Sequence, residues 1–233
     1  MQSKVFLRNL LDRVSRFPSV SAACFTDSVP LSINGDVGVM FSDTESGNFG
    51  SPFIHSADKY IVGKGYFETL GIPVMAGQAF SAEDESDNST SVIVSEELVN
   101  RFWKGEDAIG RRIKLSNGAV EAGWGLWPGT FDHRTRGSSS HQVFEAVGVV
   151  GNVPRGFGVE KPAPAVYFPL RPADYGHPSF QGITLIVPAA PGPDVVRAVR
   201  KEISAMDATI KPFGVRSMVA QVGQTLFAVR AAA

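Results

Sequence analysis

Two stretches of helical periodicity stand near opposite ends of the sequence, and they limit what the chain can fold into more than any other feature. Across residues 4–16, Leu7, Leu10, Leu11 and Val14 recur at three- and four-residue spacing and so share one face. Arg8, Asp12, Arg13 and Arg16 fall mostly elsewhere on the wheel. Pro18, which lacks an N–H and blocks the preceding turn, stops this helix. Across residues 194–206, Asp194 is placed as a cap, and Val195 or Val196, Val199, Ile203 and Met206 make a second stripe. A shift of 189 residues lays Leu7, Arg8, Leu10, Val14 and Phe17 over Val196, Arg197, Val199, Ile203 and Met206. Each helix is followed by a run that reads as a strand, "SVSAACF" (19–25) and "IKPFGVRSM" (210–218). The expectation is two related helix–strand units folding together, with the middle of the chain inserted between them.

That middle is written in strands. "TSVIVS" (90–95), "RRIKL" (111–115), "FEAVGVVGNV" (144–153), "AVYFPL" (165–170) and "GITLIV" (182–187) are short β-branched or apolar runs bounded by glycine, proline or polar residues. One short helix interrupts them: Ser95 is a cap, Leu98, Val99, Phe102 and Trp103 are its buried face, and Gly105 ends it. Residues 32–59 mix Gly, Ser, Asn and Asp with apolar patches and predict loops with a short hairpin. Strands in the middle and helices near both ends give an α+β class rather than a βαβ succession.

Bulk properties narrow the functional classes. With 43% hydrophobic and 19% charged residues, a 233-residue chain buries a real core. A net charge of −1, from 22 basic and 23 acidic residues, gives no reason to expect long-range attraction to nucleic acid. Cys24 is the only cysteine, so no disulfide forms within the chain and a cysteine-built zinc site is not expected. The opening "MQSKVFLRNLLDRVSRF" lacks the unbroken apolar core of a secretory signal, and no run approaches the ~18 apolar residues of a membrane span. The chain reads as soluble, or as the soluble piece of a membrane protein.

Chemistry is hard to find. Gly63-Lys64-Gly65 and Gly156-Phe157-Gly158 lack the rest of any phosphate-binding loop. His55, His133, His141 and His177 are scattered, with no pair at ligand spacing. Asp132, His133 and His141 beside Ser138, Ser139 and Ser140 are the residue types of a hydrolase, but no Gly-x-Ser-x-Gly turn presents a nucleophile. "AEDESDN" (82–88) departs from a calcium loop and reads as a solvated acidic turn. No catalytic residue, metal ligand or cofactor site is assigned.

Two aromatic stretches need a separate account. Trp124, Trp127 and Phe131 lie among glycines and a proline, where no regular element can hide all three; they either pack back onto the domain or await a partner, and packing is favoured. In "GYFETLGIPVMAGQAF" (65–80), Tyr66, Phe67 and Leu70 share a face over one helical turn, Gly71 caps it, Pro73 forbids its continuation, and Gly77 allows a bend before Phe80. That stretch holds no nucleophile, metal ligand or phosphate cradle, so its role is to shape the chain.

"VGKGYFETLGIPVMAGQAFSAEDE", then "SVIVSEELVNRFWKGEDAIGRRIKL", then "AVGVVGNV" and "PAVYFPL", in that order, resemble the periplasmic core domain of MacB/FtsX-like ABC transporter permeases. The edges "LLDRVSRFPSVSAACFTDSVPL" and "VRAVRKEISAMDATIKPFGVRSM" resemble it as well, so nearly the whole chain is covered. The signature positions are Tyr66, Phe67, Leu70, Gly71, Gly77, Phe80, Phe102, Trp103 and Gly110. The resemblance implies a porter-like subdomain from residues 1–62 plus 178–233 and an inserted β-rich, Sabre-like subdomain from 63–177. It also implies a periplasmic position between a first membrane helix and the remaining ones, with Val219 through Leu226 to Arg230 leading into the second.

By the same resemblance the chain is not an enzyme. ATP hydrolysis belongs to a cytoplasmic ABC ATPase domain or subunit, and this chain passes movement to a periplasmic partner or cargo. The implied partners are that ATPase, a periplasmic adaptor protein and a second permease copy. The segment 117–141 is longer than the short turn expected before "AVGVVGNV", so a partner surface there would be peculiar to this protein. The alternatives are a stand-alone hydrolase using His133 or His141, and a soluble protein gripping an apolar ligand with Trp124, Trp127 and Phe131.

Overall fold

A run of β-branched and aromatic residues becomes a strand when a neighbouring strand takes its backbone groups, and here one sheet takes nearly all of them. The computed structural model describes residues 2–27, 29, 37–43, 55–115, 143–153, 162–176, 182–188, 193–215, 217 and 220. In chain order these hold α1 (Gln2–Val14), β1 (Cys24–Thr26), β2 (Val37–Asp43), β3 (His55–Val62), α2 (Tyr66–Leu70), β4 (Val74–Gly77), β5 (Ser91–Ser95) and α3 (Glu96–Phe102). After these come β6 (Arg112–Leu115), β7 (Val143–Val150), β8 (Ala165–Pro169), a 3-10 turn (Pro172–Gly176), β9 (Thr184–Ile186) and α4 (Pro193–Met206).

Six of the strands close on themselves. β2 pairs antiparallel with β3, from Val37 opposite Lys59 to Phe41 opposite His55, and on its other edge with β6. β6 pairs with the first half of β7, and β7 runs parallel to β5. β5 is antiparallel to β8, and β8 returns parallel to β3 from Asp58–Ala165 to Val62–Pro169. The circuit β2-β6-β7-β5-β8-β3 leaves these strands few open edges, which is how small β-structures avoid pairing with other chains.

Period-two alternation sorts the side chains between two cores. Phe41, Val92, Val94, Ile113, Phe144, Ala146, Val166 and Phe168 turn to one side, where α3 adds Leu98, Val99 and Trp103. Tyr60, Val62, Ile93, Ala165 and Tyr167 turn to the other, where α2 and the chain after it add Tyr66, Phe67 and Phe80. Outside the closed circuit, β1 bridges to β3 at Thr26–Val62 and pairs with β9 from Cys24–Ile186 to Thr26–Thr184. The two long helices cover this outer part.

Most of the predicted elements form. β2 and β3 are the hairpin partners expected within 32–59, and the Ser95 hydroxyl caps α3 by accepting from the Leu98 N–H at 3.2 Å. The predicted strand at 19–25 shrinks to Cys24–Thr26 with a bridge at Val20. The strand expected at 210–218 does not form across the described 210–215. Pro212 cannot donate to a ladder, and Gly214 turns left-handed at φ 65°, so Ile210, Phe213 and Val215 stay exposed. The mixed α+β class stands, with one large mixed sheet and few helices. That sheet runs without a break from β3 into β8, strands that the subdomain boundaries of 1–62 and 63–177 would assign to different parts.

Candidate functional site

The acidic turn is held rather than merely solvated. Asp84 accepts from the Ser81 N–H and hydroxyl, both at 2.8 Å. The Glu85 carboxylate accepts from the Lys64 N–H at 2.7 Å, and Asp87 accepts from the Ala173 N–H at 3.0 Å. Partial burial by itself would raise the Asp84 pKa, but hydrogen bonds from Ser91 and Ser81 outweigh it and hold the carboxyl below its ordinary value. The turn thus clasps the start of α2 to the chain after β8, and its carboxylates serve the fold.

Other reactive groups are similarly absorbed. His55 sits in an aromatic group, 4.3 Å from the Phe102 ring centroid and 5.5 Å from that of Phe41. Burial pushes the Cys24 thiol up to about 11, opposed by the Thr69 hydroxyl beside it, so it is no nucleophile near neutral pH. Among the described residues no three His, Cys, Asp or Glu side chains converge as a metal site. A recess of about 450 Å³ beside β4 and β7 is lined by Gly77, Gln78, Ile109, Gly110, Glu145, Ala146 and Val147, with Glu145 its single titratable side chain. His133, His141, His177, the Ser138–Ser140 run and the aromatic residues Trp124, Trp127 and Phe131 lie outside the described residues.

The predicted signature positions are packing and turning points. Tyr66, Phe67 and Phe80 are buried and Leu70 packs partly buried against them. The Phe67 ring meets Tyr167 edge-on at 5.1 Å and Phe80 at 6.3 Å. Gly71 ends α2 in the left-handed region at φ 67°; its N–H goes to the Glu68 carbonyl and that of Ile72 to the Phe67 carbonyl. Gly77 sits at φ 68°, where a Cβ would lie 2.2 Å from the Val147 carbonyl oxygen. Trp103 is buried in the other core with Phe102 against it, and Gly110, at φ 82°, donates to the Ala146 carbonyl where β6 gives way to β4 along β7.

What the structure does bring together is the two long helices. Leu10 and Val14 of α1, Ile203 of α4, Val20, Phe25, Ile61 and Leu170 form one buried cluster. Phe6, Leu7, Leu11, Val195, Val199 and Met206 pack partly buried around it. Above that cluster the Arg13 guanidinium reaches the Glu202 carboxylate at 3.0 Å. Val14 and Ile203, aligned by the sequence shift, meet in the same core. Arg13 with Glu202 is the pair that sequence reasoning missed, because helical periodicity places residues around one wheel and says nothing about the angle at which two wheels meet.

Residues 12–206, from within α1 to the last residue of α4, match the family of MacB-like periplasmic core domains. The chain belongs to that family. It is a periplasmic domain of the kind carried by MacB-like ABC transporter permeases. The solved periplasmic region of MacB from Actinobacillus actinomycetemcomitans has the same fold, with a TM-score of 0.51 at 10% identity over 85% of this chain and 73% of that one. A permease-protein domain from Porphyromonas gingivalis fits with a TM-score of 0.49 at 14% identity, covering 84% of this chain and 68% of its own. The extracellular domain of the noncanonic ABC-type transporter YknZ from Gram-positive bacteria fits at 0.48 and 10% identity, over 85% and 80%. No curated protein sequence matches the chain.

Proposed function

We propose that this MacB-like domain is a mechanical relay without catalytic chemistry of its own, carrying movement of membrane helices to a periplasmic partner or cargo. The observation that supports this reading is the joint between α1 and α4. Two helices 189 residues apart in sequence share one buried cluster and an Arg13–Glu202 ion pair, so displacement of one must be felt by the other. In the same reading, 1–62 with 178–233 acts as the porter-like part that takes up the motion, and 63–177 as the Sabre-like part that delivers it through the shared β3–β8 ladder.

A cytoplasmic ABC ATPase would supply the movement, and an adaptor protein, a second permease copy or both would receive it. Trp124, Trp127 and Phe131 are the residues proposed to touch such a partner. The joint can be tested in the full-length permease with Val14→Ala and Ile203→Ala together. Each removes buried methyl groups at a cost of about 1–4 kcal/mol, enough to loosen the contact. ATP hydrolysis is expected to persist while transport or partner activation falls. Transport that stays at the parental level in a variant whose melting temperature has dropped would sink the proposal.

A further inference from the structure

An overall charge near zero conceals a sharp separation along the fold. Residues 2–17 and 193–211, which contain α1 and α4, hold eight Lys and Arg against four Asp and Glu, a balance of +4. The rest of the chain must then carry −5 to reach the total of −1. Within α4 the excess has a direction. Arg197, Arg200 and Lys201 stand at the three- and four-residue spacings that define one face, continued by Ser204, and all four are exposed. Arg200 and Lys201 lie away from the helix's carboxylate contacts among the described residues: Glu202 turns towards Arg13, and Asp194 reaches Arg197 at 3.6 Å in the first turn. Arg8 and Arg16 add two more exposed cations from the α1 side, and Lys211 follows α4.

Apolar surface accompanies the charge. Phe213 is 81% exposed although its ring edge lies 3.7 Å from where a Gly182 Cβ would stand, and Ile210, Val215 and Val196 are exposed as well. A solvated helix needs cations but has no use for an aromatic ring in water. A helix with several exposed Lys and Arg, followed in the chain by bare aromatic and aliphatic side chains, suits the boundary of an anionic bilayer, where cations meet headgroups and apolar side chains enter the acyl margin. A second copy is less well matched, because Asp84, Glu85 and Asp87 of the most acidic segment are already engaged within their own chain.

We propose that the outer face of α4, with Lys211 and Phe213 following it in the chain, rests on anionic phospholipid. The membrane surface would then be a third party to the relay, restraining the joint from which motion starts. The inference leans on the permease reading only for the nearness of a bilayer, and its test needs neither the ATPase nor transport.

The experiment is co-sedimentation of the 233-residue chain with phosphatidylcholine vesicles containing 0 or 25 mol% phosphatidylglycerol, at low salt and again near 1 M. Binding is expected to the anionic vesicles alone and to fade at high salt, where the screening length shrinks to about 3 Å. Replacing cations should weaken partitioning by roughly fivefold per cation removed, so R200E/K201E is expected to lose at least twentyfold and the control K64E little. Unchanged circular dichroism and melting would show that the variants remain folded. Equal binding to neutral vesicles, no binding to anionic ones at low salt, or undiminished binding by R200E/K201E would overturn the proposal. So would self-association in solution that R200E/K201E abolishes, which would give this face to a second copy.

Discussion

Gly148 lies inside strand β7 and Gly71 at the end of α2, and alanine should affect the two very differently. Gly71 lies in the left-handed region at φ 67°, but nothing stands within 4 Å of the place a Cβ would occupy. Gly71→Ala therefore meets only the backbone penalty of that region, about 1–2 kcal/mol. Gly148 is outside the left-handed region, and its difficulty is space. A Cβ there would lie 2.3 Å from the Gln78 carbonyl oxygen and 3.3 Å from both its carbon and Ile93 Cγ1. Reaching ordinary contact requires the chain at Gln78 to retreat by about 1 Å. That chain is the end of β4, held to β7 at Val74–Val150, Ala76–Val149 and Gly77–Gly148 and by the Gln78 N–H to the Val147 carbonyl. Two or three of these bonds would be lost, at about 0.5–1.5 kcal/mol each, with poorer packing in addition, which makes roughly 2–4 kcal/mol for Gly148→Ala. For a chain of this size each kcal/mol lowers the melting temperature by about 2–4 °C. Calorimetry should find Gly148→Ala melting several degrees below Gly71→Ala, and the reverse order would refute the close approach of β4 to β7.

Other perturbations test other parts of the fold. Phe67→Ala and Trp103→Ala, each in a different core, should cost about 3–5 kcal/mol by urea denaturation, and unchanged midpoints in both would contradict their burial. Ser95→Ala should cost about 1–3 kcal/mol, because the one buried hydroxyl accepts from both Leu98 N–H at 3.2 Å and Ala165 N–H at 2.9 Å; a loss below 0.5 kcal/mol would mean that the hydroxyl holds neither. Cys24 gives a pH signature: its pKa is raised from 9.0 to about 11 by burial. The folded state thus holds the proton that the unfolded chain releases, and stability is full below pH 9 and declines between pH 9 and 11. Tyr175, pushed from 10.0 to about 12 chiefly by burial, extends the decline at higher pH. Cys24→Ala should flatten the earlier part of the curve of melting temperature against pH, and an unaltered curve would show that the thiol titrates as if in water.

What the sequence determined by itself was everything that repeats over a few residues. The stripe Leu7, Leu10, Leu11, Val14 makes α1 wherever the helix is placed, Ser95 caps α3 through a contact three residues away, and α2 ends at Gly71, whose N–H goes to the carbonyl three residues back while that of Ile72 goes five residues back. The ordered motifs from Val62 to Leu170 were legible for the same reason, since each is short and their order needs no geometry. The tertiary structure decided what depends on partners distant in the chain. Sequence could not say that β2 closes a ring with β3 and β6, because strand pairing follows from register and sheet curvature. Nor could it say that 210–215 stays unpaired: its apolar residues suit a strand, but Pro212 and Gly214 weaken it and β9 already lies beside β1. The Arg13–Glu202 contact and the lopsided charge of the helical face arise in the same way. A wheel shows which side of a helix is wet, and only packing shows which wet sides come together.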